Sequence, residues 1–397
     1  VENGGCVRAA ARVPGRIQGG RTPIAPAPEA QAESPYLPWL EQIRPYVPGK
    51  PPERVLRQIR LEEIASLASN ENPLGPSPRA LEAIQEALRE LNRYPDDQAQ
   101  RTKATLAGHY GVPIEQVVVG NGSNDLIELL VRITTAPGRE VVMAEASFPT
   151  CRIAALAAGG TVRLVPLRED RHDLPALADA VGPRTHLVYV CNPNNPTGTM
   201  NSAVEVDAFL ARLPPHVLAV FDEAYFEYIE DPTYPDLLPR ILRQEQVVVL
   251  RTFSKCYSLA SLRIGYGICP MVVAERLEKV RLPFNVNGIA QRAAIASIHD
   301  EEQVLRSRLF NEEGKGMLRR ELDRLGVFYR DSVTNFFMVR VPWDGGDLYR
   351  ELLQGGVVVR PLQSFGLPAD HYRVTVGTSS ENQRFIRLLE RILRKNG

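Results

Sequence analysis

Nowhere in the 397 residues does an apolar run approach the roughly 20 that a membrane-spanning helix needs, so no membrane partner is expected. Neither sign of charge is in excess: 47 basic residues balance 47 acidic ones, for a formal net charge of zero. That balance removes any electrostatic reason to expect nucleic acid or an anionic lipid surface as partner. Cysteine is sparse and scattered. Cys6, Cys151, Cys191, Cys256 and Cys269 form neither a paired framework nor a CxxC site, which speaks against a disulfide scaffold and suits free thiols in a reducing cytosol. No metal site is expected, and no internal repeat is present. Composition therefore predicts a soluble, cytoplasmic globular protein of roughly two or three domains.

What is present changes along the chain. Residues 1–34 carry Arg8, Arg12, Arg16 and Arg21 with many small residues and prolines. Pro14 and Pro23 break any amphipathic spacing, so this stretch reads as a disordered or vector-derived extension rather than a targeting helix. Residues 35–65 read as an arm leading into the fold. Within residues 66–285, β-branched apolar runs occur at 117–120, 141–144, 162–165, 186–191, 217–221, 247–250 and 264–268, most of them separated by helical segments. Continuous apolar strands spaced by helices predict an α/β domain with a mostly parallel, seven-stranded sheet covered on both faces. Residues 286–397 mix shorter strands and helices, and predict a smaller α+β domain. In a parallel sheet, ligands sit beyond the carboxyl ends of the strands.

Four of those strand exits carry unusual chemistry. Val119–Asp125 runs from a strand through Gly122, Ser123 and Asn124 into a helix, where free N–H groups and a positive dipole end can hold a phosphate. An ordinary helix start capped by Ser123 or Asn124 reads equally well. The turn NPNNPTG after Cys191 fixes its backbone with two prolines and points amides, Asn195 among them, above the sheet. Asp222 ends another strand, where a carboxylate is costly unless it meets a cation such as a protonated pyridine nitrogen. Tyr225 follows three positions on as a phenol donor, although Asp222 also suits a helix cap. Lys255 leaves the run VVVLRTFSK, where partial desolvation favours the neutral, nucleophilic amine; read alone, a surface lysine fits too. Arg263 is a candidate phosphate fork, and Phe148 a ring platform or a core residue. An anion cradle, a ring platform, a buried carboxylate, a phenol and an amine together are what pyridoxal phosphate requires.

These residues resemble the fold-type I aminotransferases (class I/II), most closely the histidinol-phosphate aminotransferase branch. The resemblance rests on SNENPLGPSP, NRYPD, GNGSNDLIELL, NPNNPTG, FDEAY, TFSKCYSLASLRIGY, VVVRPL and YRVTVGT, and runs from about Tyr46 to the C-terminus. It implies that Lys255 binds the cofactor's aldehyde and shuttles a proton, that Asp222 holds the pyridinium, and that Tyr225 and Asn195 bond the ring hydroxyl. Phe148 would stack on the ring. Gly122, Ser123, Asn124, Thr252, Ser254 and Arg263 would surround the phosphate. Tyr94 would reach the neighbouring subunit's phosphate site, which implies a homodimer with shared active sites. Arg373 matches the arginine that grips a substrate α-carboxylate, and Arg360 with Tyr46 are candidates for a distal phosphate. Arg360 paired with an acidic neighbour is the plainer alternative. Three departures stand out: Phe148 where the branch usually has Tyr, Ser258 and Ser261 in place of glycines, and Cys151 as a candidate for altering the substrate pocket.

The implied reaction is ping-pong transamination between a small-molecule amine and a 2-oxo acid, with histidinol phosphate, glutamate and 2-oxoglutarate as substrates in histidine biosynthesis. Aromatic amino acid (Phe/Tyr) aminotransferases share the same motifs, as do decarboxylases of phosphothreonine type. A non-catalytic regulator built on this domain would need an N-terminal DNA-binding module, which residues 1–34 are too short and too Pro/Gly-rich to form.

Overall fold

Each strand of the large sheet alternates its side chains between two apolar layers, which is why the runs read as continuously hydrophobic. Val117 and Val119 face one layer and Val118 the other; Val188 and Val190 oppose Leu187, Tyr189 and Cys191; Val247 and Val249 oppose Val248 and Leu250. The computed structural model describes residues 34–45, 64–342 and 347–394. Residues 34–38, which end a short N-terminal unit, are exposed. Trp39–Gly397 forms the second unit. Most of the expected arm, with Tyr46, lies outside the described residues, as do residues 1–33.

Among the described residues there are thirteen strands: β1 (Ala65–Ser66), β2 (Val117–Gly120), β3 (Glu140–Ala144), β4 (Thr161–Val165), β5 (Thr185–Cys191), β6 (Leu218–Asp222), β7 (Val247–Thr252), β8 (Gly265–Ile268), β9 (Phe328–Arg330), β10 (Phe336–Arg340), β11 (Val357–Val358), β12 (Arg360–Pro361) and β13 (His371–Thr375). The expected seven-stranded sheet is present, in the order β2-β8-β7-β6-β5-β3-β4. From β7 to β4 all neighbours are parallel, while β8 runs antiparallel to both β2 and β7. The β7–β8 connection stays at one end of the sheet, so β8 starts beside the exit of β7. Its register sets Gly265 between Gly120 and Thr252 in a single row.

Beyond this sheet, β12-β13-β10-β9 form a four-stranded antiparallel sheet, and β1 pairs with β11 in parallel. The helices Glu301–Arg324 and Ser379–Arg394 pack on it through Leu318, Leu322, Phe385 and Leu389, against Phe337, Val339 and Val374. The helix Gly288–Ile298, which its position would place with this second group, buries Ala290, Ala293, Ala294 and Ile298 in the core of the large sheet instead. Its small residues let it lie against the helices Pro78–Ala87 and Gln100–Tyr110.

One buried ion pair ties together the two strands that carry the site. Arg251 on β7 donates to Glu223, just past β6, at 2.9 Å, and its guanidinium lies 3.3 Å from the centre of the Phe226 ring. Nε and Nη2 both meet the single Glu223 Oε2, and the Phe226 ring face lies over the buried charge.

Candidate active site

The carboxyl ends of β6 and β7 form the floor of a cavity of about 280 Å³. Asp222, the last residue of β6, accepts from the Tyr189 hydroxyl at 2.6 Å and from the Ala224 amide at 3.2 Å. It therefore closes a short turn, as a capping residue would, and still presents a carboxylate to the cavity. Burial raises its carboxyl from 3.8 to about 6, against the lowering effect of the Tyr189 hydrogen bond, the Ala224 amide and Lys255. Lys255 lines the same cavity and donates to the Ser69 carbonyl at 3.1 Å. Burial, reinforced by the like charge of Arg373, lowers its ammonium from 10.5 to about 8. The nucleophilic amine expected at this strand exit is thus partly populated near neutral pH.

Tyr225 is fully buried, and its hydroxyl accepts from Asn70 Nδ2 at 2.8 Å and Asn195 Nδ2 at 3.2 Å. Burial pushes this phenol up. Asn195 Oδ1 in turn accepts from Arg373 at 2.5 Å, and Arg373 also donates to the Ala68 carbonyl at 2.6 Å. Phe148 forms part of the cavity wall while packing on the core behind it.

At the far end stands the helix Ser123–Thr134. Its N-cap is Gly122 (φ 85°), not Ser123 or Asn124, and no side chain caps its first amides. The φ of Gly122 is one that L side chains rarely adopt, and a Cβ there would lie 2.6 Å from Arg263 Nη2, so glycine leaves the guanidinium room at the helix start. A Cβ on Gly265 would likewise sit 2.5 Å from the Ser123 nitrogen. Arg263 donates to Ser254 Oγ at 3.3 Å, and Thr252 Oγ1 to Ser254 Oγ at 3.0 Å. Two hydroxyls, an uncapped helix end and a guanidinium converge there. That is a place for a phosphate.

Two predicted residues lie elsewhere. Tyr94 is 83% exposed, stacks on Phe284 at 4.7 Å between ring centroids, and takes no part in its own chain's cavity. Arg360 is buried on β12 directly opposite Arg373, with its guanidinium 5.5 Å from the Phe365 ring centre, and is not part of the cavity wall. Cys151 is fully buried in the core rather than in the pocket, so its exchange for an aromatic changes packing beneath the site. Ser258 keeps the left-handed conformation (φ 59°) that the missing glycine would favour.

Sequence reasoning passed over three participants. Asn70, in the left-handed region at φ 56°, bonds Tyr225 and Thr375. Tyr189, whose alternation along β5 marks it only as core, anchors Asp222. Glu71 lines the cavity beside Lys255. The turn cluster SNENP was the available signal for Asn70 and Glu71; nothing in the sequence singled out Tyr189.

The residues present fit pyridoxal phosphate: the glycine-lined cradle would take its phosphate, Asp222 its ring nitrogen, Phe148 its ring face and Lys255 its aldehyde. Fold and site together define a pyridoxal phosphate-dependent transferase of fold type I. The family model described as aminotransferase class I and II matches residues 62–389. Histidinol-phosphate aminotransferase 2 of Pseudomonas fluorescens is 45% identical over 358 residues, covering 90% of this chain and 96% of that protein. The histidinol-phosphate aminotransferase of Moorella thermoacetica is 43% identical, covering 95% and 96%. A crystal structure of the Sinorhizobium meliloti histidinol-phosphate aminotransferase in complex with pyridoxal 5'-phosphate superposes with a TM-score of 0.84 at 30% identity, covering 92% of this chain and 100% of that one. This chain belongs to the aminotransferase class I and II family, and within it is similar to the histidinol-phosphate aminotransferases.

Proposed function

We propose that the chain transfers an amino group between histidinol phosphate and 2-oxoglutarate, as a step of histidine biosynthesis in the cytoplasm. The observation that carries the chemistry is the meeting of Lys255, Asp222 and the Gly122–Arg263 cradle in one cavity. Similarity of about 45% to histidinol-phosphate aminotransferases supports the choice of amine. Pyridoxal phosphate, when bound, supplies an aldehyde for the substrate amine and an electron-accepting ring. Asp222 keeps the ring nitrogen protonated; Asn195 and Tyr225 orient the ring hydroxyl; Gly122, Ser123, Asn124, Thr252, Ser254 and Arg263 hold the phosphate. Lys255 Nζ, in its neutral form, would take the proton from the substrate α-carbon and then, as the acid, deliver it to the carbon that carried the cofactor's aldehyde oxygen, not back to the α-carbon. Arg373, fixed by Asn195 and Ala68, receives the carboxylate of glutamate. Arg360, one strand further out, and Tyr46 serve a distal phosphate.

Comparing turnover of histidinol phosphate, phenylalanine and phosphothreonine, with 2-oxoglutarate as acceptor where transfer is measured, tests the substrate directly. The expected result is a kcat/KM for histidinol phosphate at least tenfold above that for phenylalanine, and no decarboxylation of phosphothreonine. Faster turnover of phenylalanine would make this an aromatic aminotransferase.

We further propose a homodimer in which Tyr94 completes the phosphate site of the neighbouring copy. Its exposure outside its own cavity supports this, as does the neighbouring exposed apolar surface of Leu91 and Phe284. Light scattering should give twice the 44.1 kDa chain mass, and a monomer would refute the shared site.

A further inference from the structure

The cavity holds one ionisable group that the chemistry above leaves without a task. Glu71 lies in the cavity wall with its side chain exposed, while both its neighbours are buried and clamped. Asn70 is held by Thr375, Tyr225 and Asn335, each within 3.1 Å. On the other side, Asn72 donates to the Cys256 carbonyl and to Ser307 Oγ, both at 2.9 Å. Ser69 accepts from Lys255 itself. The segment 69–72 is therefore stitched to 255–256, and the left-handed conformation is maintained at Asn70. A surface glutamate on a free loop would need none of this. The backbone is fixed so that Glu71 is held in the cavity wall, with its carboxylate near enough for its charge to act on Lys255.

Charge matching then narrows what that carboxylate meets. The charged groups of the cavity wall are Asp222, Glu71, Lys255, Arg263 and Arg373. On the reading given under Proposed function, on which this inference rests, Arg263 and Asp222 are taken by the cofactor and Lys255 by the reaction. Arg373 and Glu71 remain, one cation and one anion, facing the substrate. A substrate with an anionic group and a hydrogen-bond-donating heterocycle complements both. A dicarboxylate such as glutamate complements Arg373 but sets its second carboxylate in the field of Glu71.

We propose that Glu71 is a specificity-determining residue: it accepts a hydrogen bond from the imidazole of the amine substrate and disfavours the dicarboxylate partner. The two substrates of a ping-pong enzyme share one cavity, and a fixed carboxylate is a means of telling them apart.

Spectral titration of the holoenzyme and of its Glu71→Gln variant tests this with three ligands: histidinol phosphate, its phenyl counterpart phenylalaninol phosphate, and glutamate. A hydrogen bond to a charged acceptor sets the expected size at roughly tenfold or more. The variant should bind histidinol phosphate about tenfold more weakly, lose the preference for imidazole over phenyl, and bind glutamate severalfold more tightly. These opposed signs are what a damaged cavity cannot produce, because damage weakens both substrates. Equal weakening of histidinol phosphate and glutamate, or an imidazole preference that survives in the variant, overturns the proposal. Turnover of histidinol phosphate by the unaltered enzyme checks the underlying reading separately, since the imidazole preference is read in binding.

Discussion

Lys255→Ala will lower transamination by about 10⁴-fold or more, because one amine both engages the cofactor and moves the α-proton. The fold should survive. Among the described residues the side chain donates one hydrogen bond, to the Ser69 carbonyl, and it stands just beyond β7 rather than within the apolar layers. Borohydride treatment should fix the cofactor covalently to the unaltered chain and leave it removable from the variant by dialysis. Retention of activity in a folded Lys255→Ala protein would end the account of the site.

Asp222→Asn should have the second largest effect, with opposite signs in two measurements. Turnover should fall by roughly 10²–10⁴-fold, since an amide cannot hold the ring nitrogen protonated as a buried carboxylate does. Stability of the protein stripped of cofactor should move the other way. Asp222 has its folded pKa raised from 3.8 to about 6, so the folded chain holds this proton more tightly than the unfolded chain. The contribution is fully present below pH about 4 and is lost as pH rises through 6. At pH 8 the ionised, buried group then costs at most about 3 kcal/mol relative to acid conditions, a cost that asparagine does not carry. Tyr189 can still donate to the remaining carbonyl oxygen. Chemical denaturation of the stripped proteins at pH 5 and pH 8 reads this: the variant should gain on the parent only at the higher pH. A variant less stable than the parent at pH 8 would show that the carboxylate is not strained there.

These two residues were legible in the sequence for a common physical reason. A parallel sheet buried on both faces leaves uninterrupted apolar strands, so a lone Asp or Lys at a strand exit stands out. The seven strands fell where the apolar runs placed them, to within two residues at each end. Contacts made across the chain were not legible. Asn70 meets Thr375 across 305 positions, and Tyr189 reads as another core aromatic until Asp222 is seen above it. Helix Gly288–Ile298 is rich in alanine and isoleucine, which suit either layer, so the pattern could not say which core would receive it. The sequence offered Ser123 or Asn124 as the helix cap; the cap is Gly122 instead, where a positive φ and the approach of Arg263 both suit glycine.

The antiparallel seating of β8 bears on how the protein is made. The wall opposite the Gly122 helix start is supplied by Arg263 and Gly265, more than 140 positions downstream, and β8 is the last strand of its sheet to be synthesised. A ribosome that has released only the first 250 residues has produced the uncapped helix start and Asp222 but neither the lysine nor the guanidinium. The two sides of the cradle proposed for the phosphate therefore come from distant stretches of sequence, and the cradle is complete only once β8 is seated between β2 and β7.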